Sequence, residues 1–203
     1  MNIISNNCVG GFLYNLKHEK YNNPFIWMRI TGESLKHLIL NYDEINFSNY
    51  ELKKDNNWNF SIIVDDCIEI HYSHYKFDAS YNTPTKVGDC IRYCKIWEYI
   101  AAKYETRYKK MDDPPTFVID AWDGMYNDQP TEFNEKSTKD FLNNLLRNEF
   151  KHKTIIIHPY KDLTASSHNA YLIYDEAING QWSDTRGVSS RHFDEIMKIM
   201  EET

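Results

Sequence analysis

Thr116-Phe117-Val118-Ile119-Asp120-Ala121, then the helical pattern from Ser137 to Phe150, then Thr154-Ile155-Ile156-Ile157-His158, is the stretch that decides the fold. Both short runs are apolar almost without interruption. Strands buried on both faces read this way, whereas a strand with one wet face alternates. Between them, Phe141, Leu145 and Leu146 recur at helical spacing. Two such strands joined by a helix make a parallel βαβ unit. The expected class is α/β: one mostly parallel sheet flanked by helices.

Upstream, Asn2 to Ser5 reads as a short buried strand followed by a helix through Leu13 and Leu16. Tyr21 to Trp27 is a loop broken by Pro24. Ser34 to Asn41 is a helix with Leu35, Leu38 and Ile39 on one face and Glu33 favourably placed at its positive end. Phe60 to Val64 and Cys67 to Tyr72 are β-type runs, separated by an Asp65-Asp66 pair that marks a hairpin turn or a kink. After a loop from Tyr81 to Asp89, Asp89 is placed to cap a long helix with an apolar stripe through Ile91, Ile96, Trp97, Ile100, Ala101, Tyr104 and Tyr108. Pro114-Pro115 ends it. Downstream, Tyr171 to Tyr174 adds a strand, and Ser190 to Met200 a closing helix with Phe193, Ile196, Met197 and Met200 inward. At 203 residues the chain is expected to be one domain spanning 1–203.

A formal net charge of -7 argues against a broad basic face, so no nucleic-acid partner is expected. Arg92, Lys95, Lys103, Arg107, Lys109 and Lys110 cluster in the long helix, where alternating signs read as a solvated face. No apolar run is long enough for membrane insertion, and the first residues lack a basic leader with an apolar core, so a cytoplasmic protein is expected. Cys8, Cys67, Cys90 and Cys94 form no CxxC pair, and free thiols are the default in that compartment. Zinc held by Cys90, Cys94 and a histidine is a weakly specified alternative.

Three places carry candidate chemistry. Cys8, in Asn6-Asn7-Cys8-Val9-Gly10-Gly11, sits where a strand turns into a helix. The unpaired N–H groups of a first helical turn favour an anion, which would lower the pKa of a thiol there, and the glycines would admit a substrate close to the backbone. The plainer alternative is a small buried hydrophobe beside a tight turn. In Asp65-Asp66-Cys67-Ile68-Glu69-Ile70-His71-Tyr72-Ser73-His74, strand alternation gives Glu69 and His71 one face. A histidine there suits a general base for Cys8 or, with His74 and a carboxylate, a metal site, against the alternative of a merely solvated edge strand. Finally, Asp120, Trp122 and Asp123 follow one parallel strand and His158 ends the next. Sites in open α/β sheets gather beyond the carboxyl ends of strands, so Cys8, Asp120 and His158 leaving one edge would form a Cys-His-Asp set; ordinary loop chemistry is the alternative. Trp182 to Gly187 suits either ligand recognition or a simple turn. Walker, GxGxxG, GxSxG and EF-hand motifs are absent.

The blocks Ile4-Ser5-Asn6-Asn7-Cys8-Val9-Gly10-Gly11, Tyr21-Asn22-Asn23-Pro24-Phe25 and Asp65 to Lys76 resemble, in that order, a bacterial family of unknown function. Its members are often labelled exopolysaccharide biosynthesis proteins. That family reads Asn-Asn-Cys-Trp-Gly-Gly, Tyr-x-Thr-Pro-Phe and Asp-Asp-Ile-x-Ile-His-Phe-x-His-Tyr. Here Val9 replaces the usual Trp, Cys67 breaks the third block, and Tyr81 to Ile96 departs from the usual text. The Cys8 block with Pro24-Phe25-Ile26-Trp27 also looks somewhat like a group labelled papain-like cysteine peptidases. The resemblance implies that Cys8, His71 and His74 are motif positions and that the setting is cell-surface polysaccharide.

The expected function is therefore biosynthesis or modification of a surface polysaccharide or glycoconjugate, by acyl transfer or hydrolysis through a Cys8 thiolate. His71 or His74 would be the base, Asp66 or Asp120 its orienting group, and the N–H groups of Gly10 and Gly11 an oxyanion hole. Asn6, Asn7, Trp27 and Trp122 complete the expected substrate contacts, with a carbohydrate or glycoconjugate as the small-molecule partner and no cofactor or metal. The alternatives are a cysteine peptidase or amidase using the same residues, and a carbohydrate-binding protein with no chemistry.

Overall fold

The computed structural model describes residues 2–20, 23–25, 28–30, 32–54, 60–71, 98, 100–111, 114–121, 135–178 and 185–202. Along the chain come β1 (Ile3–Ser5), α1 (Val9–Leu16), α2 (Gly32–Asn41), a 3-10 turn (Tyr42–Glu44), β2 (Tyr50–Lys54), β3 (Phe60–Val64) and β4 (Ile68–His71). Residues 100–108 are helical (α3). There follow β5 (Thr116–Asp120), α4 (Glu135–Leu145), β6 (Thr154–His158), β7 (Ala170–Tyr174), α5 (Thr185–Arg191) and α6 (Phe193–Glu201).

The fold is α/β, with a parallel sheet in the order β1-β5-β6-β7 and a separate antiparallel sheet, β2-β3-β4. Every residue of β5 and β6 is buried, which accounts for their unbroken apolar runs. Side chains alternate across the parallel sheet. Ile3, Val118, Ile155 and Ile157 face a core layer with Val9 and Leu13 of α1, Val188 of α5 and Ile196 of α6. Ile4, Phe117, Ile119 and Ile156 face the other layer, which holds Leu35 and Leu38 of α2, Ile62 and Ile70 of the small sheet, Tyr104 of α3 and Leu142 of α4. Each fully buried Ile or Leu contributes about 1.5–3 kcal/mol.

β1 is an outer strand of the described sheet, and side chains cover its open backbone groups. The Ile3 N–H donates to the Tyr14 hydroxyl at 3.3 Å, and the Asn23 amide donates to the Ile3 carbonyl at 2.7 Å. Asn23 is itself fully buried and accepts the Phe25 N–H at 3.0 Å. An open strand edge is thus closed without a further strand.

The Asp65-Asp66 pair makes a hairpin turn rather than a kink. Both residues have positive φ, 52° and 58°, a conformation that Asp tolerates better than most residues. Asn46 N–H and the Asn49 amide hold the Asp65 carboxylate at 3.1 and 3.2 Å.

Candidate functional site

All four parallel strands point their carboxyl ends to one edge, and the residues just past β1 are fixed there by a set of hydrogen bonds. The Asn6 amide donates to the Asp120 carbonyl at 2.9 Å while its oxygen accepts the Asp120 N–H at 3.0 Å, so one side chain extends the β1–β5 pairing by a step. The Asn7 amide donates to the Asp120 carboxylate at 3.1 Å, and its oxygen accepts the Val9 N–H at 2.9 Å. Ser5 Oγ donates to the Asn7 carbonyl at 2.7 Å and accepts the Gly10 N–H at 3.0 Å. Glycine at position 10 lets α1 approach β1 this closely: a Cβ there would lie 2.6 Å from Ser5 Oγ. Asn6 is fully buried and Asn7 nearly so. Both amides therefore hold Asp120 and the turn.

Cys8 caps α1 and is half-buried, its carbonyl accepting the Phe12 N–H. Burial pushes the Cys8 thiol above its ordinary pKa. This differs from the depressed value expected of a helix N-terminus, and the reason is local. The Val9 and Gly10 N–H groups, which would favour an anion, are spent on Asn7 and Ser5, leaving desolvation to set the direction. The oxyanion role expected of Gly10 and Gly11 narrows to Gly11 for the same reason.

His71 ends β4 and reaches this edge through the backbone. Its N–H and carbonyl pair with Arg29 at 2.8 and 3.0 Å, and the neighbouring Ile30 N–H donates to the Asn6 carbonyl at 3.0 Å. Glu69 places a carboxylate oxygen 4.0 Å from His71 Nδ1, on the face that strand alternation assigns to both. Glu69 is held by Ser61 Oγ at 2.7 Å. Asp66 is exposed in the turn that precedes β4, at the opposite end of the strand from His71. His74, Trp27, Trp122, Asp123, Cys90, Cys94 and the 182–184 part of the Trp182 loop lie outside the described residues.

Asp120 and His158 leave the same edge on opposite faces. Asp120 continues the alternation of Val118 toward α1, where Asn7 meets it. His158 continues that of Ile156 toward α4, where its ring stacks with Tyr160 at 6.4 Å between centroids. The Cys8-Asp120-His158 set read from the strand ends is therefore divided by the sheet.

A second constellation at this edge carried no sequence signal, because its members lie 16 and 17 residues apart and meet only in the fold. Asp175, buried just past β7, accepts hydrogen bonds from Arg191 at 2.7 Å and from His192 Nε2 at 2.9 Å. Burial alone would raise the Asp175 carboxyl, but the hydrogen bonds from Arg191, His192 and the Ala177 N–H outweigh it and hold its pKa below the usual value. Among the described residues no three His, Cys, Asp or Glu side chains group as metal ligands, and no helix is long and apolar enough to cross a membrane.

Residues 1–86 match a family model described as Domain of unknown function (DUF1919). The matched segment holds Cys8, Asp66, His71 and β1 to β4, whereas Asp120 and the other three parallel strands lie beyond it. No curated protein matches the chain.

Proposed function

We propose that the protein is a thiol-dependent enzyme that makes or modifies a surface polysaccharide, a glycoconjugate or a precursor of one. The observation that carries this reading is the placement of Cys8 at the carboxyl edge of a parallel sheet, one residue from the Asn7–Asp120 hydrogen bond. The polysaccharide setting rests on the resemblance of the Cys8, Pro24 and His71 blocks. Because burial keeps Cys8 protonated at rest, the reaction needs a base. His71 or His74 would accept the Sγ proton as sulfur attacks an acyl carbon. The leaving alcohol or amine would then take that proton, and the thioester would pass its acyl group to a sugar hydroxyl or to water. Burial beside Asn7 supports Asp120 over exposed Asp66 as a positioning carboxylate, and Glu69 supports the His71 ring. The same residues acting on a peptide or amide give the peptidase alternative.

The raised Cys8 thiol favours a second reading, a carbohydrate-binding protein without covalent chemistry. Incubation with p-nitrophenyl acetate and peptide mapping separates the two. The enzyme reading predicts an acyl adduct on Cys8 and a burst of p-nitrophenol. Both should vanish in Cys8→Ala at unchanged melting temperature. A wild-type protein whose Cys8 is neither acylated nor alkylated by iodoacetamide up to mildly alkaline pH overturns it.

A further inference from the structure

On the α4 side of the sheet, His158 Nε2 and Thr138 Oγ1 are buried without a hydrogen-bond partner among the described residues. His158 is 3% exposed and Thr138 0%. Native interiors leave few such atoms, and each calls for an explanation, a missing ligand or water being the usual one. The topology brings the two toward one place. Thr138 precedes Leu142 and Leu145 by four and seven positions, so it shares the helix face that packs on the sheet. α4 runs from the carboxyl end of β5 back to the start of β6, which sets its first turns above the carboxyl edge. His158 lies two residues past Ile156 on that same side of β6. Lys139, next to Thr138, places its ammonium 6.0 Å from the Tyr160 ring centroid, and Tyr160 stacks with His158, which brings the first turns of α4 beside the end of β6.

We propose that this layer holds a small-molecule oxyanion, a phosphate or carboxylate group, received by His158 Nε2–H, the Thr138 hydroxyl and the positive end of α4. The donor sense at His158 follows from its other nitrogen. Nδ1 accepts the Tyr160 N–H at 3.2 Å, so the ring proton sits on Nε2. Burial favours the neutral ring, which leaves a donor without the cost of a buried charge. An acceptor-rich ligand satisfies both this donor and the hydroxyl, and α4, eleven residues long, directs its N-terminal dipole at the same edge. Lys161, with its ammonium 5.5 Å from the Tyr174 ring centroid, adds a cation at the rim, whereas Lys139 is held by Asp162 at 2.7 Å. The site stands apart from the Cys8 reading: neither needs the other.

The test uses the full chain, labelled with nitrogen-15, and follows the His158 Nε2 resonance while inorganic phosphate or acetate is added against a sodium chloride control. A saturable shift is expected with one of the two anions, and the arm that responds identifies the oxyanion. Thr138→Val, close to isosteric, should weaken that binding at least tenfold with no loss of melting temperature. The bound anion should also raise the His158 titration midpoint. Three results overturn the proposal. They are no saturable shift with either anion, a shift that Thr138→Val leaves intact, and a long-lived buried water that contacts the Nε2 proton and persists at saturating anion. His158→Gln, which keeps a donor, gives a second variant should Thr138→Val fold poorly. It should retain part of the affinity and lose the titration.

Discussion

The turn after β1 and the end of β6 lie on the same sheet edge and treat their polar groups in opposite ways. Ser5, Asn6 and Asn7 are buried, and each is bonded within the turn or to Asp120. His158 and Thr138 are buried to the same degree, yet each keeps an atom unmatched among the described residues. A satisfied polar group fixes geometry, while an unsatisfied one costs stability until something binds it. The contrast separates the part of the edge that is built for position from the part with capacity to spare.

Four measurements bear on this contrast, in decreasing order of effect. Asn6→Ala removes two bonds and strands the Asp120 backbone, so chemical denaturation should show a loss of about 2–4 kcal/mol. A loss close to zero would mean that the turn is not a fixed element. Gly10→Ala drives a methyl against Ser5 Oγ, which cannot rotate without giving up its bonds to Asn7 and Gly10. Overpacking of roughly 1–3 kcal/mol should exceed the gain of about 1 kcal/mol in helix propensity. Replacing Ser5 with Gly in the same chain should restore part of the loss. Thr138→Val, by contrast, removes an unmatched hydroxyl, and without added anion it should be neutral or stabilising by up to about 1 kcal/mol. If it costs as much as Asn6→Ala, the two regions are alike.

The smallest effect is on pH dependence. His158 has its folded pKa lowered, so the unfolded chain binds a proton first as pH falls below about 6.5. Stability should therefore decline from there down to the folded midpoint, and His158→Gln should flatten that interval. Asp175 has its folded pKa lowered too. It supports the fold above about 3.9, and its contribution disappears as pH falls through its folded value. Asp175→Asn should remove this lower interval and leave the upper one.

β5 and β6 were legible because strands wet on neither face need apolar residues throughout, and the observed bounds of β6 match its apolar run. β2 was passed over. Glu51, Lys53 and Lys54 look like a solvated linker, and only two apolar residues, Tyr50 and Leu52, alternate among them. The helix read as Ser137 to Phe150 stops at Leu145, because Leu146 and Phe150 stay in the core from non-helical backbone and so prolong the apolar pattern. The closing helix divides at His192, whose ring pairs with Asp175, a contact made only in the folded chain. In the site, the parallel-strand rule placed Cys8 and Asp120 at one edge. It could not say which face His158 would take, because that depends on register. The raised Cys8 thiol was hidden for a related reason: whether a helix's first N–H groups are available depends on which side chains reach them.

The Asn6–Asp120 bonds join residues 114 positions apart. During synthesis β1 leaves the ribosome long before β5, so the Cys8 turn has only its local bonds to Ser5, Asn7 and Ile30 until Asp120 has emerged. Pairings between such distant segments close slowly, since loop-closure entropy is lost before any contact repays it. The antiparallel hairpin of β3 and β4, with its three-residue connection, has no such delay. The Asp120 side of the thiol-bearing turn is thus the part with the greatest closure cost, whereas the hairpin that carries His71 has almost none.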